Sequence, residues 1–331
     1  MAGLASPDAP ERFSALTGDA LLVIDLDSEA GSPSPAAVVR ARQGLDQLPC
    51  PSVALASKMP SASARALAPH VDVLLDDPNE LGDLIAAVER SPLASMALVQ
   101  LLRQNERQGV HEGLISESLI YSTLQSGPEF AAWLAERPAA KPREANREPA
   151  VLVRREGTRL ELTLNRSEKR NAFSAEMRDG LCEGILMALH DPGIEDITIS
   201  GLGPSFCSGG DLDEFGTLPD PATAHAIRST RNPGRLLHAC ADRVQARIHG
   251  ACVGAGIELP AFAQRVVARP GAFVQLPEVA MGLVPGAGGS VSVLRRVGRQ
   301  RTAWLALTGK RLDVETAARW GLVDDVETPT G

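Results

Sequence analysis

The sequence predicts an α/β fold built with parallel crossovers, and three observations predict it. Short apolar strands alternate with amphipathic helices, two glycine-rich turns each follow a strand, and 44% apolar residues in 331 can fill a sizeable core. With 22% charged residues, the chain does not read as disordered. Lysine and arginine total 33 against 41 acids, a net charge of −8, and no basic stripe is present, which argues against a nucleic-acid binder. The scarcity of aromatic residues, 3%, argues against base-stacking platforms. No apolar run reaches the ~18 residues of a membrane helix, so no membrane association is expected. The first residues carry Pro7, Asp8, Pro10 and Glu11 where a signal peptide would be basic and then apolar. Cys50, Cys182, Cys207, Cys240 and Cys252 are scattered and odd in number, as expected of reduced thiols in a cytoplasmic protein.

In chain order, residues 20–26, 52–56 and 71–75 read as three buried strands. Leu93, Met96, Ala97 and Leu101 fall on one helix face, and a second helix after Gly109 pairs Ile115 with Leu119 and Ile120 with Leu124. No site chemistry is apparent here, and His70 and His111 read as solvated surface residues. A run with three prolines and many charges marks a linker at 138–150. It separates a front block, 1–137, from a back block, 151–331, both of ordinary domain size.

The back block opens with alternating strands at 151–154 and 160–164 around a tight turn. Ser174 can cap a helix whose inner face is Met177, Leu181, Gly184, Ile185 and Ala188. Strands follow near 197–200 and 244–248. The glycine-rich turns lie at 205–212 and 250–258. Glycine permits close backbone approach and positive φ, so two such turns side by side could aim two amides at one substrate oxygen, as an oxyanion hole requires. The second turn lacks the third glycine of a dinucleotide site, and no Lys-Ser or Lys-Thr follows either turn as a Walker loop would need. Glu258 opens a helix, and Glu278 precedes an apolar glycine-rich loop at 281–289. Two carboxylates in one pocket, their pKa values pushed apart, can serve as base and acid; each alone could equally be a helix-end or solvated charge.

Taken together these segments resemble the crotonase family, the enoyl-CoA hydratase/isomerase superfamily. The likeness runs through Asn165-Arg166-Ser167-Glu168-Lys169-Arg170-Asn171-Ala172-Phe173, the turns at 206–212 and 254–258, Leu276-Pro277-Glu278 through Gly289, Thr308-Gly309-Lys310 and the stretch 317–324. It implies a crotonase-type spiral of ββα turns, with a smaller α/β N-terminal region ending in helices. It further implies an oxyanion hole from the backbone N–H groups of Ser208 and Ala255, with Glu258 and Glu278 as the catalytic carboxylates. Substrate binding would fall to Lys169, Arg170, Ala172, Gly209, Gly210, Asp211, Leu212, Gly254 and Gly286. The substrate would be an acyl thioester of coenzyme A or a carrier protein, and the assembly a homotrimer or dimer of trimers, with no metal or redox cofactor. The reaction expected is reversible addition of water to a 2-enoyl thioester. An isomerase, dehydratase or thioester hydrolase of the same superfamily, or a non-catalytic thioester binder or assembly protein, are the alternatives. Arg247, Pro260 and Gln264 depart from the family pattern. Family members continue past the position of Asp324 into helices that are expected here instead from the front block, at 76–137. The front block is thus expected to be a degenerate crotonase-like copy without an active site of its own, the alternative being an unrelated α/β domain.

Overall fold

The computed structural model describes residues 2–28, 33–58, 61–138, 148–217 and 220–328; of the expected linker, 139–147 lie outside the described residues. In the front block, α1 (Ala9–Arg12), β1 (Leu22–Asp25), α2 (Pro35–Gln47), β2 (Ser52–Leu55), α3 (Ala62–Leu67) and β3 (Val73–Leu75) come first. The three strands form a parallel sheet in the order β1-β2-β3. Ser34 and Ser61 each accept a hydrogen bond from the amide three residues on, at 3.3 and 3.0 Å, which starts α2 and α3 where the sequence offers a hydroxyl. Four helices follow: α4 (Leu81–Arg90), α5 (Pro92–Asn105), α6 (Val110–Gln125) and α7 (Pro128–Ala135). Proline opens α5, and the Glu129 carboxylate on α7 accepts from the Leu93 and Ala94 amides at 2.7 and 3.0 Å, an acid at the positive end of a helix.

The back block runs β4 (Val151–Glu156), β5 (Arg159–Leu164), α8 (Ala175–His190), β6 (Asp196–Gly201), α9 (Pro221–Thr230), α10 (Pro233–Ala239), β7 (Val244–Ile248), β8 (Ala251–Val253) and α11 (Ala255–Glu258). Then come β9 (Arg265–Ala268), β10 (Phe273–Gln275), α12 (Gly289–Val297), α13 (Arg299–Thr308), β11 (Leu312–Asp313), α14 (Val314–Trp320) and β12 (Asp325–Val326). A six-stranded sheet has the order β12-β9-β7-β6-β5-β4, antiparallel only between β4 and β5, and a smaller sheet has the order β11-β10-β8. Ser174 caps α8, and Met177, Leu181, Gly184, Ile185 and Ala188 are all buried, as their spacing predicts. Arg247 does not break its strand, because it faces outward and pairs with Glu327 at 2.7 Å.

The two blocks share one hydrophobic core. It runs from Val73, Leu98 and Leu102 in front to Val291, Leu294 and Leu305 behind, while a smaller core around Leu45, Leu67 and Val71 stays within the front block. The seam also carries charge. Asp72, fully buried, pairs with Arg103 of α5 and, at 2.9 Å, with Arg299 of α13, whose Nε reaches Glu106 at 3.1 Å. Trp304 donates to Glu80 at 2.8 Å, and Lys310 meets Asp83 at 2.8 Å. A buried arginine so paired does not rank as strong stabilisation, but removing its partners is costly, which fixes how the blocks register.

Candidate active site

The turn at 205–212 is held from below by the 165–173 segment. Asn171, fully buried, accepts from the Arg166 amide at 2.8 Å and donates to Leu202 O and Ser205 O at 2.8 and 2.9 Å. Arg170 and Asn171 both adopt positive φ, 52° and 54°, a strained geometry that these hydrogen bonds over-determine. Arg166 pairs with Asp211 at 2.8 Å inside the protein, and Lys169 pairs with Asp213 at 2.8 Å. The second turn lies alongside, because Cys207 and Cys252 form a parallel bridge and Gly256 leaves no room for a Cβ against Cys207 O.

Gly254 begins the short helix α11 at φ 49°, and a Cβ there would collide with Glu278 Oε1 and come 3.6 Å from Glu258 Oε1. Only glycine fits, and both carboxylates converge on it. Glu258 is 2% exposed, and its Oε2 accepts from the Ala287 and Gly289 amides, each at 2.8 Å. Burial pushes its carboxyl up to about 7, against the opposite pull of those two amides. Glu278 has an enclosed Oε2 without a hydrogen-bond partner among the described residues. Burial first, and the Glu258 charge second, hold its carboxyl well above the usual range.

The Ala255 amide at the start of α11 has no acceptor among the described residues. The Ser208 amide differs from expectation. It donates to Arg170 O at 3.0 Å, because the left-handed turn at Arg170 aims that carbonyl at it, so it is engaged rather than free. Ser208, Lys169, Arg170, Ala172, Gly210, Asp211 and Leu212 line an open recess of about 340 Å³. Gly209 is buried, its carbonyl accepting from Phe173 at 2.7 Å. Gly286, Ala255, Glu258 and Glu278 line a second cavity of about 190 Å³, with Gly210 and Asp211 common to both.

The front block, where the sequence shows no site chemistry, lends residues to this cavity. Tyr121 and Gln125 of α6 form part of the wall of the smaller cavity, and the Tyr121 ring fills the space above Gly286. Glu117, one turn before Tyr121, is 2% exposed; it accepts from the Gly288 and Ser290 amides at 2.7 and 3.0 Å and from Ser290 Oγ at 2.6 Å. Glu258 and Glu117 therefore take alternate amides of the run Ala287–Ser290, one from each side. Burial, then the Glu258 charge, push Glu117 up to about 8. Apolar periodicity misses part of this face of α6 because it is mixed: Gly113, Glu117, Ser118 and Ser122 are buried beside Val110, Leu114 and Leu124, while Leu119 is half exposed. The spacing of Gly113, Glu117 and Tyr121 by four residues is the signal that could have found it.

These elevated carboxyls set a pH dependence of stability. Their pKa values rise from the ordinary 4.5 to about 7 for Glu258 and about 8 for Glu117, so the folded chain binds more protons than the unfolded one across that interval. Stability is then fullest below 4.5 on their account and falls as pH rises through 7 to 8. Urea unfolding between pH 5 and 9 is expected to show that fall, and Glu117→Gln to flatten it; an unchanged slope in the variant contradicts the assignment.

A spiral of ββα turns with two carboxylates and an unengaged amide meeting at one glycine defines an α/β fold of the crotonase class. The chain belongs to the enoyl-CoA hydratase/isomerase family: residues 154–329 match the family described as Enoyl-CoA hydratase/isomerase. It is 33% identical over 176 residues to 2,3-dehydroadipyl-CoA hydratase of Escherichia coli, covering 53% of this chain and 68% of that one. It is 33% identical to 1,2-epoxyphenylacetyl-CoA isomerase of Escherichia coli, covering 50% of this chain and 64% of that one. With mevalonyl-coenzyme A hydratase of Aspergillus fumigatus it shares 34% identity, covering 50% of this chain and 62% of the relative, so the match spans less than two thirds of the latter two. Among solved structures, enoyl-CoA hydratase of Thermoplasma volcanium is 32% identical with a TM-score of 0.50, covering 54% of this chain and 72% of that one. An enoyl-CoA hydratase/isomerase of Mycobacterium paratuberculosis is 28% identical with a TM-score of 0.51, covering 54% and 73%.

Proposed function

We propose that the protein adds water reversibly across the double bond of a 2-enoyl-CoA thioester. The observation that carries this reading is the convergence of Glu258 and Glu278 on Gly254 beside the Ala255 amide. Their environments favour different protonation states. Glu258 is held by two amide donors that stabilise its anion, so it serves as base. Glu278 has no donor on its enclosed oxygen, and burial with the Glu258 charge holds its carboxyl well above the usual range, which favours the protonated form, so it serves as acid. Glu258 takes a proton from water as its oxygen bonds to the β-carbon; the thioester becomes an enolate, and Glu278 delivers a proton to the α-carbon.

The enolate oxygen is carried by the Ala255 amide, joined by the Ser208 amide once substrate displaces Arg170 O. Each such donor is worth roughly 3–4 kcal/mol in the transition state. The coenzyme moiety lies along the recess at Lys169, Arg170 and Leu212, where Arg170 can meet a phosphate while Lys169 is paired with Asp213. A panel of 2-enoyl, 3-hydroxyacyl and β,γ-enoyl thioesters tests the reading. Interconversion of the first two is expected. Turnover confined to the β,γ-enoyl thioester assigns the site to an isomerase instead.

A further inference from the structure

Arg228 stands on α9 with its guanidinium between α6 and the smaller cavity, which it lines. Its Nε donates to Ser118 Oγ at 3.1 Å, and its Nη2 reaches Ser118 O at 3.4 Å, Gln125 Oε1 at 3.3 Å and Ser122 Oγ. Every one of these acceptors is neutral. The guanidinium lies over the Tyr121 ring, 4.6 Å from its centroid, and Nη1 has no acceptor among the described residues. Glu117, whose charge the guanidinium feels, has both oxygens committed to Gly288 and Ser290. Arg166, Arg103 and Arg299 have carboxylate partners, whereas Arg243 and Arg42, like Arg228, donate only to neutral acceptors among the described residues. Arg228 differs from Arg243 and Arg42 in lining the cavity, and Arg178, the other cation on that wall, has Asp179 at 2.9 Å. A group that enters the cavity can therefore give Arg228 the counter-ion it lacks.

We propose that Arg228 docks a carboxylate borne at the distal end of the substrate's acyl chain, so that the preferred thioesters are those of short dicarboxylic acids. This rests on the thioester reading above and names its acyl class. The free Nη1 offers a charge-assisted hydrogen bond, and the Tyr121 face and the serines of α6 hold the planar fork in place for it. Ile227, Ala224 and Phe215 supply an apolar wall for the methylenes between the two ends. The carboxylates at Gly254 act on one end of the acyl group while Arg228 reads the other.

Calorimetric binding of two saturated thioesters, glutaryl-CoA and pentanoyl-CoA, tests the proposal without relying on any reaction, because neither has a double bond to hydrate. The wild-type protein is expected to bind glutaryl-CoA at least ~10-fold more tightly, as a hydrogen bond to a charged group allows. Arg228→Met is expected to abolish that preference while leaving pentanoyl-CoA binding within a few-fold, and Arg228→Lys to keep part of it. Equal affinities in the wild type overturn the proposal. So does a parallel loss of both ligands in both variants, which is what a purely structural clamp between α9 and α6 produces. Selective glutaryl-CoA binding by a protein that hydrates no enoyl thioester leaves the carboxylate subsite standing and removes the hydratase reading. Failure of the wild type to bind either ligand removes both.

Discussion

Glu278→Gln is expected to lower the hydration rate by roughly 10²–10⁴-fold with little change in thioester binding, and Glu258→Gln to do the same. The two losses have different origins. At Glu278 the surroundings hold the carboxyl well above its usual range and so favour the neutral form, whose shape and charge glutamine preserves while removing the transferable proton. Its folding cost is therefore small, and a thermal melt at pH 8 is expected to match or exceed that of the wild type, because no buried carboxylate needs to stay protonated. At Glu258 glutamine keeps an oxygen for the Ala287 and Gly289 amides but cannot accept a proton from water. Single-turnover hydration of a 2-enoyl-CoA, with binding of a saturated thioester measured in parallel, separates chemistry from affinity. Near-wild-type hydration by either variant is incompatible with a two-acid mechanism.

Removing residues 1–149 is expected to leave an insoluble or inactive protein. α12 and α13 bury Val291, Val293, Leu294, Val297, Leu305 and Leu307 in a core they share with α5, α6 and β3. Each side chain returned to water forfeits about 1.5–3 kcal/mol, and so large an apolar face drives association. Arg299 loses Asp72 and Glu106 at the same time, and the Gly288 and Ser290 amides lose Glu117. Co-expression of residues 1–137 with 150–331, or fusion of 76–137 after Gly331, is expected to restore thioester turnover. A soluble, active 150–331 fragment shows that the front block is dispensable to the site.

What could be read from the sequence depended on whether a residue's partner is local. β1 to β7 and the inner face of α8 follow from spacing, whereas β8 to β12, of two to four residues each, are too short to show a period; the ordered motifs of 165–324 point to Glu258, Glu278 and Ala255. The Ser208 amide was assigned by its motif, yet its hydrogen bond to Arg170 O depends on a left-handed turn that no composition rule announces. Glu117 and Arg228 escaped because each is defined by what faces it across the molecule. Glu117 is a helix-surface glutamate until α12 is laid against it, and Arg228 is an ordinary helical arginine until the absence of a counter-ion can be seen. Of the departures from the family pattern, Arg247 points to solvent beside Glu327, and Pro260 starts a turn just after α11.

The sharing of the Ala287–Ser290 amides between Glu258 and Glu117 also has a consequence for biosynthesis. Glu117 and the amide of Gly288 that it binds are 171 residues apart in the chain. At ribosomal speeds of about 5–20 residues per second, α6 waits roughly ten to thirty seconds before its acceptor strip emerges. Through that interval its inward face is exposed to solvent, and there Gly113, Glu117, Ser118 and Ser122 interrupt Val110, Leu114 and Leu124, where an unbroken stripe of leucines would recruit chaperones or neighbouring nascent chains. The polar residues that hid part of this helix surface from apolar periodicity thus temper what the front of the chain shows while it waits for its partner.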